Sequence, residues 1–171
     1  DYYLSYDEFV NIYAGKKPFI MRNVTNQSKI LPYLSINDLL NEYGKEEVIL
    51  ASSNTFSQMK KETTFKDYID NYMDPITLDN IANDTFYLFG DTDFDQLTQY
   101  YDISPLAYDS TLAFGIGGMN SGVPFHMHGP GFAEVLIGAK RWFLFDINYD
   151  ANQFFDPKKT TLQWLNDIYP T

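Results

Sequence analysis

Residues 122–142 read GVPFHMHGPGFAEVLIGAKRW, and this stretch is the most informative about the fold class. It contains two short β-prone runs, 123–127 and 133–137, separated by a turn rich in glycine and proline. Similar runs lie on either side of it, at 112–116 and 141–145. Short β-prone runs that follow one another at this spacing are typical of a barrel or a jelly roll.

The only two histidines of the chain, His126 and His128, lie inside this stretch. In a β-strand, residues i and i+2 face the same side, so both imidazoles would point into one space. Neutral imidazole is a common ligand of iron, zinc and copper, whereas Mg²⁺ and Ca²⁺ favour oxygen ligands. The spacing predicts two metal ligands. The alternative is a pair of interior histidines that hydrogen-bond to backbone or to tyrosine hydroxyls.

Lys140 opens the β-prone run that follows the second glycine-containing turn. An inward-facing ammonium is costly unless an anion pairs with it, so this position predicts an acidic ligand such as a dicarboxylate. The alternative is a solvated lysine in a turn. Glu134, on the preceding run, is either a metal carboxylate or, as we favour, a solvent-facing residue at a sheet edge.

The rest of the chain alternates short helices with short strands. Ser5, Ser35 and Thr64 stand at N-cap positions. The predicted helices are 5–15, 35–44, 64–74, 94–101 and one that begins near Thr160; the predicted strands are 18–24, 47–51 and 86–89. We therefore predict a single domain over 1–171, mainly β with N-terminal α/β elements. Its helix-rich part spans 1–110, and the first jelly-roll strands lie in 111–171.

The bulk composition excludes several classes of function. The 171 residues carry a formal net charge of −11 and no cysteine. Such a charge disfavours nucleic acid and anionic membrane surfaces, so a basic or neutral protein partner is expected. The chain has no apolar run long enough to span a membrane. It also lacks the nucleophile elbow, the phosphate-binding loop and the His-Glu-x-x-His zinc helix.

Three Asn-x-Ser/Thr sequons begin at Asn23, Asn26 and Asn83. In a secretory compartment each would be an acceptor for N-glycosylation. Because the chain is rich in Asn, Ser and Thr, one or two of these sequons are expected by chance. They favour a secretory location weakly.

Several segments together resemble one known family. They are GVPFHMHGPGFAEVLIGAKRWFLF at 122–145, SYDEFV at 5–10, PFI at 18–20, SNT at 53–55, NDTFYLFGD at 83–91, KTTLQWL at 159–165 and YP at 169–170. This pattern resembles the JmjC proteins, in particular their first metal-ligand strand and the hairpin after it. The resemblance implies a double-stranded β-helix of the cupin type, with the N-terminal helices packed around it.

The resemblance also implies a chemistry. JmjC oxygenases hold Fe(II) with a His-x-Asp/Glu pair and a distant second histidine, bind 2-oxoglutarate, and hydroxylate or demethylate protein side chains. On that pattern His126 matches the first ligand. Lys140 matches the residue that pairs with the far carboxylate of 2-oxoglutarate.

Two departures from the family pattern limit this chemistry. His128 stands where the family has Asp or Glu, and no third histidine follows in the chain. We therefore expect an apparently truncated fold, completed by a further C-terminal segment or by another chain. By resemblance to a luminal member of the family, the expected function is that of a glycosylated regulatory or interaction protein of the endoplasmic reticulum lumen. The alternatives are a Fe(II)- and 2-oxoglutarate-dependent protein hydroxylase and a cupin-type protein that binds Zn or Cu.

Overall fold

The computed structural model describes residues 4–25, 28–74, 76–77, 79, 85–90, 94–107, 111–127, 129–146, 148 and 154–169. The α-helices are α1 Tyr6–Glu8, α2 Ile36–Tyr43, α3 Phe65–Asn71, α4 Asp95–Thr98 and α5 Thr161–Asp167. The strands are β1 Glu47–Ser52, β2 Lys60–Thr64, β3 Phe86–Gly90 and β4 Phe114–Ile116. A π-helical turn, Phe9–Tyr13, directly continues α1.

The four strands form one antiparallel sheet in the order β2-β1-β3-β4. Leu50 of β1 pairs with Leu88 of β3, and both side chains are fully buried. Phe65 and Tyr68 of α3 are in the same buried cluster. Burial of each such side chain stabilises the fold by roughly 1.5–3 kcal/mol. The core therefore lies where α3, with α2 beside it, covers one face of this sheet.

Side-chain caps fix where the helices begin, as the sequence predicts. Ser5 and Glu8 form a reciprocal capping box at α1, and Thr160 forms one with Gln163 at α5. Ser35 and Thr64 each accept a hydrogen bond from the backbone three residues on. Each cap satisfies an amide that the first helical turn leaves without a partner.

Four strand predictions are wrong. Residues 18–24, 123–127, 133–137 and 141–145 form no strand in the structure, and the predicted strand 112–116 is confined to β4. The 94–101 helix is likewise shorter and spans only α4. A β-prone run becomes a strand only when the backbone of another segment pairs with it. Such pairing involves residues that are distant in the chain, so the local alternation of apolar residues does not predict it. In the described residues, the predicted jelly-roll part therefore contributes only β4 to a sheet.

The sequence did not predict β2, because its residues lack the pattern expected of a β-strand. Its sequence KKETT is polar throughout and has no apolar alternation. Its backbone nevertheless pairs with β1 from Glu47 to Ala51. Lysines and threonines suit such an edge strand, because an exposed charged edge resists pairing with other chains. No helix in the part of the chain that the structure describes is long and apolar enough to cross a membrane.

Candidate functional site

His126 is exposed and lies on the segment that joins β4 to α5, directly after the buried Pro124 and the half-buried Phe125. Its Nδ1 atom is 2.8 Å from the carbonyl oxygen of Pro124. In the tautomer in which Nδ1 carries the proton, this nitrogen donates to the carbonyl, and Nε2 carries the lone pair. Metal-binding histidines are oriented in this way, by a backbone carbonyl on the ring nitrogen that does not bind the metal. The geometry fits the predicted role of His126 as a metal ligand.

His128, the second predicted ligand, lies outside the described residues, so its role stays a prediction. Because 123–127 is not a strand, strand alternation does not place the two imidazoles on one face. Met127, between the two histidines, is 80% exposed. Within the described ranges no group of three His, Cys, Asp or Glu side chains is placed to hold a metal ion.

An aromatic cluster anchors the segment that carries His126. The ring centroid of Phe125 is 4.9 Å from that of Trp164 on α5, 5.0 Å from that of Phe145 and 5.6 Å from that of Phe155. Trp164 is buried, and its indole N–H donates to the carbonyl of Phe154. Edge-on aromatic pairs at these distances contribute about 0.5–1.5 kcal/mol each beyond their buried area. The cluster therefore fixes the backbone directly before His126.

The same cluster borders a small apolar cavity of about 260 Å³. Its lining residues are Phe143, Leu144, Phe145, Phe154, Trp164, Ile168 and Tyr169. The 122–142 stretch contains three other aromatic residues, Phe125, Phe132 and Trp142. Of these, Phe125 joins the cluster, whereas Phe132 and Trp142 are largely exposed. Trp164 on α5 and Tyr169, two residues beyond its end, form part of the cavity wall, and no spacing pattern in the sequence indicated this.

Lys140 is exposed, and its ammonium lies over an aromatic ring. Its Nζ atom is 4.5 Å from the ring centroid of Trp142, which is within the range of a cation–π contact. Partial desolvation holds the pKa of the Lys140 ammonium below its usual value. No carboxylate in the described part of the chain forms an ion pair with it. The anion that the sequence predicts for this lysine is thus not supplied by the described residues.

Glu134 is not the solvent-facing edge residue that its sequence position suggested. It is half-buried, and the hydroxyl of Tyr101 donates to its Oε2 atom at 2.8 Å. Desolvation raises the pKa of Tyr101, and the bond to Glu134 raises it further. Because Tyr101 follows α4, this hydrogen bond ties the 133–137 segment to the N-terminal part of the chain.

The SNT motif at 53–55 forms a buried polar junction with the chain ahead of α5. Asn54 donates from its side-chain amide to the carbonyl of Lys158 at 3.3 Å, and the Thr55 amide donates to the carbonyl of Pro157. The next residues, Thr55–Ser57, have positive φ angles of 48°, 54° and 59°. Such left-handed backbone is costly for non-glycine residues, so the surrounding contacts must hold it. Sequence reasoning identified the motif without identifying this role.

Among the sequons, Asn23 is exposed and has a left-handed backbone with φ of 63°. Asparagine tolerates this conformation better than most residues. Asn26 and Asn83 lie outside the described residues. Thr85, which completes the third sequon, is only 8% exposed, and among the described residues its hydroxyl has no hydrogen-bond partner.

Comparison with known proteins gives a consistent result along the whole chain. The chain is 41% identical, over 99% of its length, to JmjC domain-containing protein 8 of Rattus norvegicus and to that of Mus musculus. It is 40% identical, over 98% of its length, to JmjC domain-containing protein 8 of Homo sapiens. The chain spans 64–65% of the length of these relatives. No family model matches it. No solved structure matches it either.

Proposed function

The chain belongs to the JmjC-domain proteins, and on that premise we propose that it is part of a regulatory or interaction protein with a 2-oxoglutarate-oxygenase-like pocket. The similarity over 99% of the chain is the observation that carries this proposal. In such a pocket, His126 and His128 bind the metal and Lys140 binds the cosubstrate. Fe(II), when bound with 2-oxoglutarate, supplies oxidative chemistry to this family.

The position of His126 supports this proposal. The Pro124 carbonyl orients the imidazole, and the aromatic cluster around Phe125 restricts the backbone that carries it. A ligand held in this way loses little conformational entropy when metal binds. Lys140 presents a positive charge without a carboxylate partner among the described residues, which favours an anionic ligand there.

A regulatory role is favoured over turnover because of residue 128. The non-haem oxygenase site uses two histidines and one carboxylate, and this chain has histidine in place of that carboxylate. A neutral ligand leaves more positive charge on the metal and changes its redox tuning. We therefore propose that catalysis is degenerate. Protein hydroxylation is the alternative if the replacement is tolerated, and structural binding of Zn or Cu is the second alternative.

The jelly roll belongs to the same proposal. The chain spans 64% of the rat relative, and the predicted strand regions expose large apolar side chains such as Met127 at 80% and Ile137 at 66%. Exposed apolar residues in such number mark a surface that another segment covers. We propose that the remaining third of the full-length protein covers it, completes the β-helix and supplies a further metal ligand.

The proposed location is the lumen of the endoplasmic reticulum, and the proposed partners are other proteins. The exposed sequon at Asn23 supports a secretory compartment. The formal net charge of −11 favours basic or neutral protein surfaces over nucleic acid.

A coupled binding and turnover assay on the full-length protein tests the function. The protein would be supplied anaerobically with Fe(II) and 2-oxoglutarate to measure binding, and then with oxygen to measure succinate release. We expect 2-oxoglutarate to bind and succinate to stay at the level of a His126→Ala control. Succinate release that His126→Ala abolishes would instead establish the hydroxylase. Tight Zn(II) or Cu(II) binding without 2-oxoglutarate binding would favour the structural metal protein.

One variant addresses the cause of the proposed inactivity. His128→Asp restores the carboxylate of the family pattern, and His128→Asn changes the same position without restoring the charge. We expect the aspartate variant alone to gain succinate release. Equal behaviour of the two variants would show that residue 128 does not limit turnover.

A further inference from the structure

Lys140 and Trp142 form a local pair whose geometry bears on ligand binding. The Nζ atom of Lys140 lies 4.5 Å from the Trp142 ring centroid, and Trp142 is 54% exposed. Indole is the best of the aromatic rings for such a contact. The two residues are spaced by two positions, so in an extended backbone their side chains lie on the same side.

The ring restrains a side chain that is otherwise highly mobile. A lysine ammonium sits on a flexible four-carbon stem and loses rotamer entropy when it is fixed. Contact with the face of Trp142 selects a subset of these rotamers before any ligand arrives. It also favours the charged form of the amine, which opposes the effect of partial desolvation on its pKa.

We propose that Trp142 is the positioning residue of Lys140, holding its ammonium against the indole face so that the far carboxylate of a dicarboxylate ligand binds from the opposite side. The ammonium has three N–H donors, so contact with the ring on one side leaves donors for the carboxylate. This inference rests on the proposed function, because it requires Lys140 to bind such a ligand. Trp142 thereby contributes to the affinity for the ligand and to the preference for a ligand that carries a second carboxylate.

The test compares 2-oxoglutarate affinity among variants of the full-length protein. Binding would be measured by calorimetry with Fe(II) under anaerobic conditions. Without the ring, the Lys140 side chain must be ordered when the ligand binds, so Trp142→Leu should weaken binding by about two- to fivefold. Trp142→Phe, which keeps a weaker ring, should weaken it less. Phe132→Leu, which shortens another exposed aromatic residue of the same stretch, should not change it.

A second ligand separates positioning from a general structural effect. 2-Oxopentanoate has the same carbon chain as 2-oxoglutarate with a methyl group in place of the far carboxylate. Its affinity, measured by displacement, should be the same for Trp142→Leu as for the wild type. Equal weakening for both acids would overturn the inference, because the loss would then not act through Lys140.

The remaining outcomes distinguish this inference from the proposed function. Wild-type protein that binds 2-oxoglutarate, together with Trp142→Leu protein that binds it equally well, overturns the role of Trp142 alone. Wild-type protein that does not bind 2-oxoglutarate overturns the proposed function and, with it, the inference.

Discussion

The Nδ1 atom of His126 lies 2.8 Å from the carbonyl oxygen of Pro124. This contact orients the ring and selects the tautomer whose Nε2 atom can bind a metal. Pro124 is itself buried, and the next residue, Phe125, is held by Trp164 and Phe155. The imidazole is therefore positioned by the packing of the segment before it.

Removal of this imidazole should weaken metal binding. We expect His126→Ala in the full-length protein to lower the affinity for Fe(II) or Zn(II) by at least about tenfold, because loss even of an outer-shell partner has an effect of that size. Calorimetric titration measures it. Met127→Ala is the matched control, since Met127 is 80% exposed and adjacent. Unchanged affinity in His126→Ala would contradict the assignment.

Tyr68 should make the fold sensitive to alkaline pH. It is fully buried, it donates to the Ile116 carbonyl at 2.7 Å, and burial raises its pKa from 10.0 to about 12. The unfolded chain therefore releases this proton first, so stability is retained below pH 10 and is lost as the pH rises toward 12. The loss amounts to about 2–3 kcal/mol in the free energy of unfolding.

Urea unfolding at pH 8 and at pH 11.5 measures whether the free energy of unfolding falls as the pH rises. Tyr68→Phe should be less stable at the lower pH, because the Ile116 carbonyl loses its donor, but should show a smaller fall between the two pH values. Tyr6→Phe, at a residue that is 65% exposed, should retain the wild-type fall. A Tyr68→Phe protein with the full wild-type pH dependence would refute the prediction.

Gly118 should not tolerate a side chain. A Cβ atom there would lie 2.2 Å from the Met73 carbonyl oxygen, which is backbone and cannot turn away. We expect Gly118→Ala to lower the free energy of unfolding by about 1–3 kcal/mol, because the loop between β4 and the His126 segment must shift. Gly129→Ala has no atom within 4 Å of the new Cβ and should change it by less than about 0.5 kcal/mol. Equal effects would mean that the loop before His126 is not closely packed against Met73.

Asn23 should carry a glycan when the full-length protein is made in the secretory pathway. The residue is exposed, so a large hydrophilic group can be accommodated there. Asn23→Gln and Thr25→Ala should each remove one glycan, seen as the same mobility shift that glycosidase treatment gives. Thr25→Ser, which keeps the sequon, should retain it. If Asn23→Gln leaves the glycan pattern unchanged, the site is not used.

Local chemistry made much of the fold predictable. The N-caps at Ser5, Ser35 and Thr64 and the helix start near Thr160 were correctly identified, because a cap is a hydrogen bond between residues three positions apart. β1 and β3 were correctly placed because their apolar runs are short and strongly β-prone. The family was also correctly identified, because the stretch at 122–142 is specific and the similarity extends along nearly the whole chain.

The site was predictable only in part. The sequence identified His126 and Lys140 as functional candidates, but it did not predict that Pro124 orients the first or that Trp142 contacts the second. For Glu134 the sequence suggested either a metal carboxylate or a solvent-facing residue at a sheet edge, and neither prediction included its hydrogen bond to Tyr101. Each of these contacts depends on the direction in which a side chain points. The spacing of residues in the sequence predicts that direction only where the backbone is a regular strand or helix.

The family, the helix starts and the residue types available for a metal and an anion could be identified from the amino-acid sequence alone. These are properties of single residues and of neighbours a few positions apart. Which β-prone runs became strands depended on the three-dimensional fold, because a strand exists through hydrogen bonds to a backbone that is distant in the chain. That is why the polar KKETT run forms β2 beside β1, whereas the more apolar 133–137 run forms no strand.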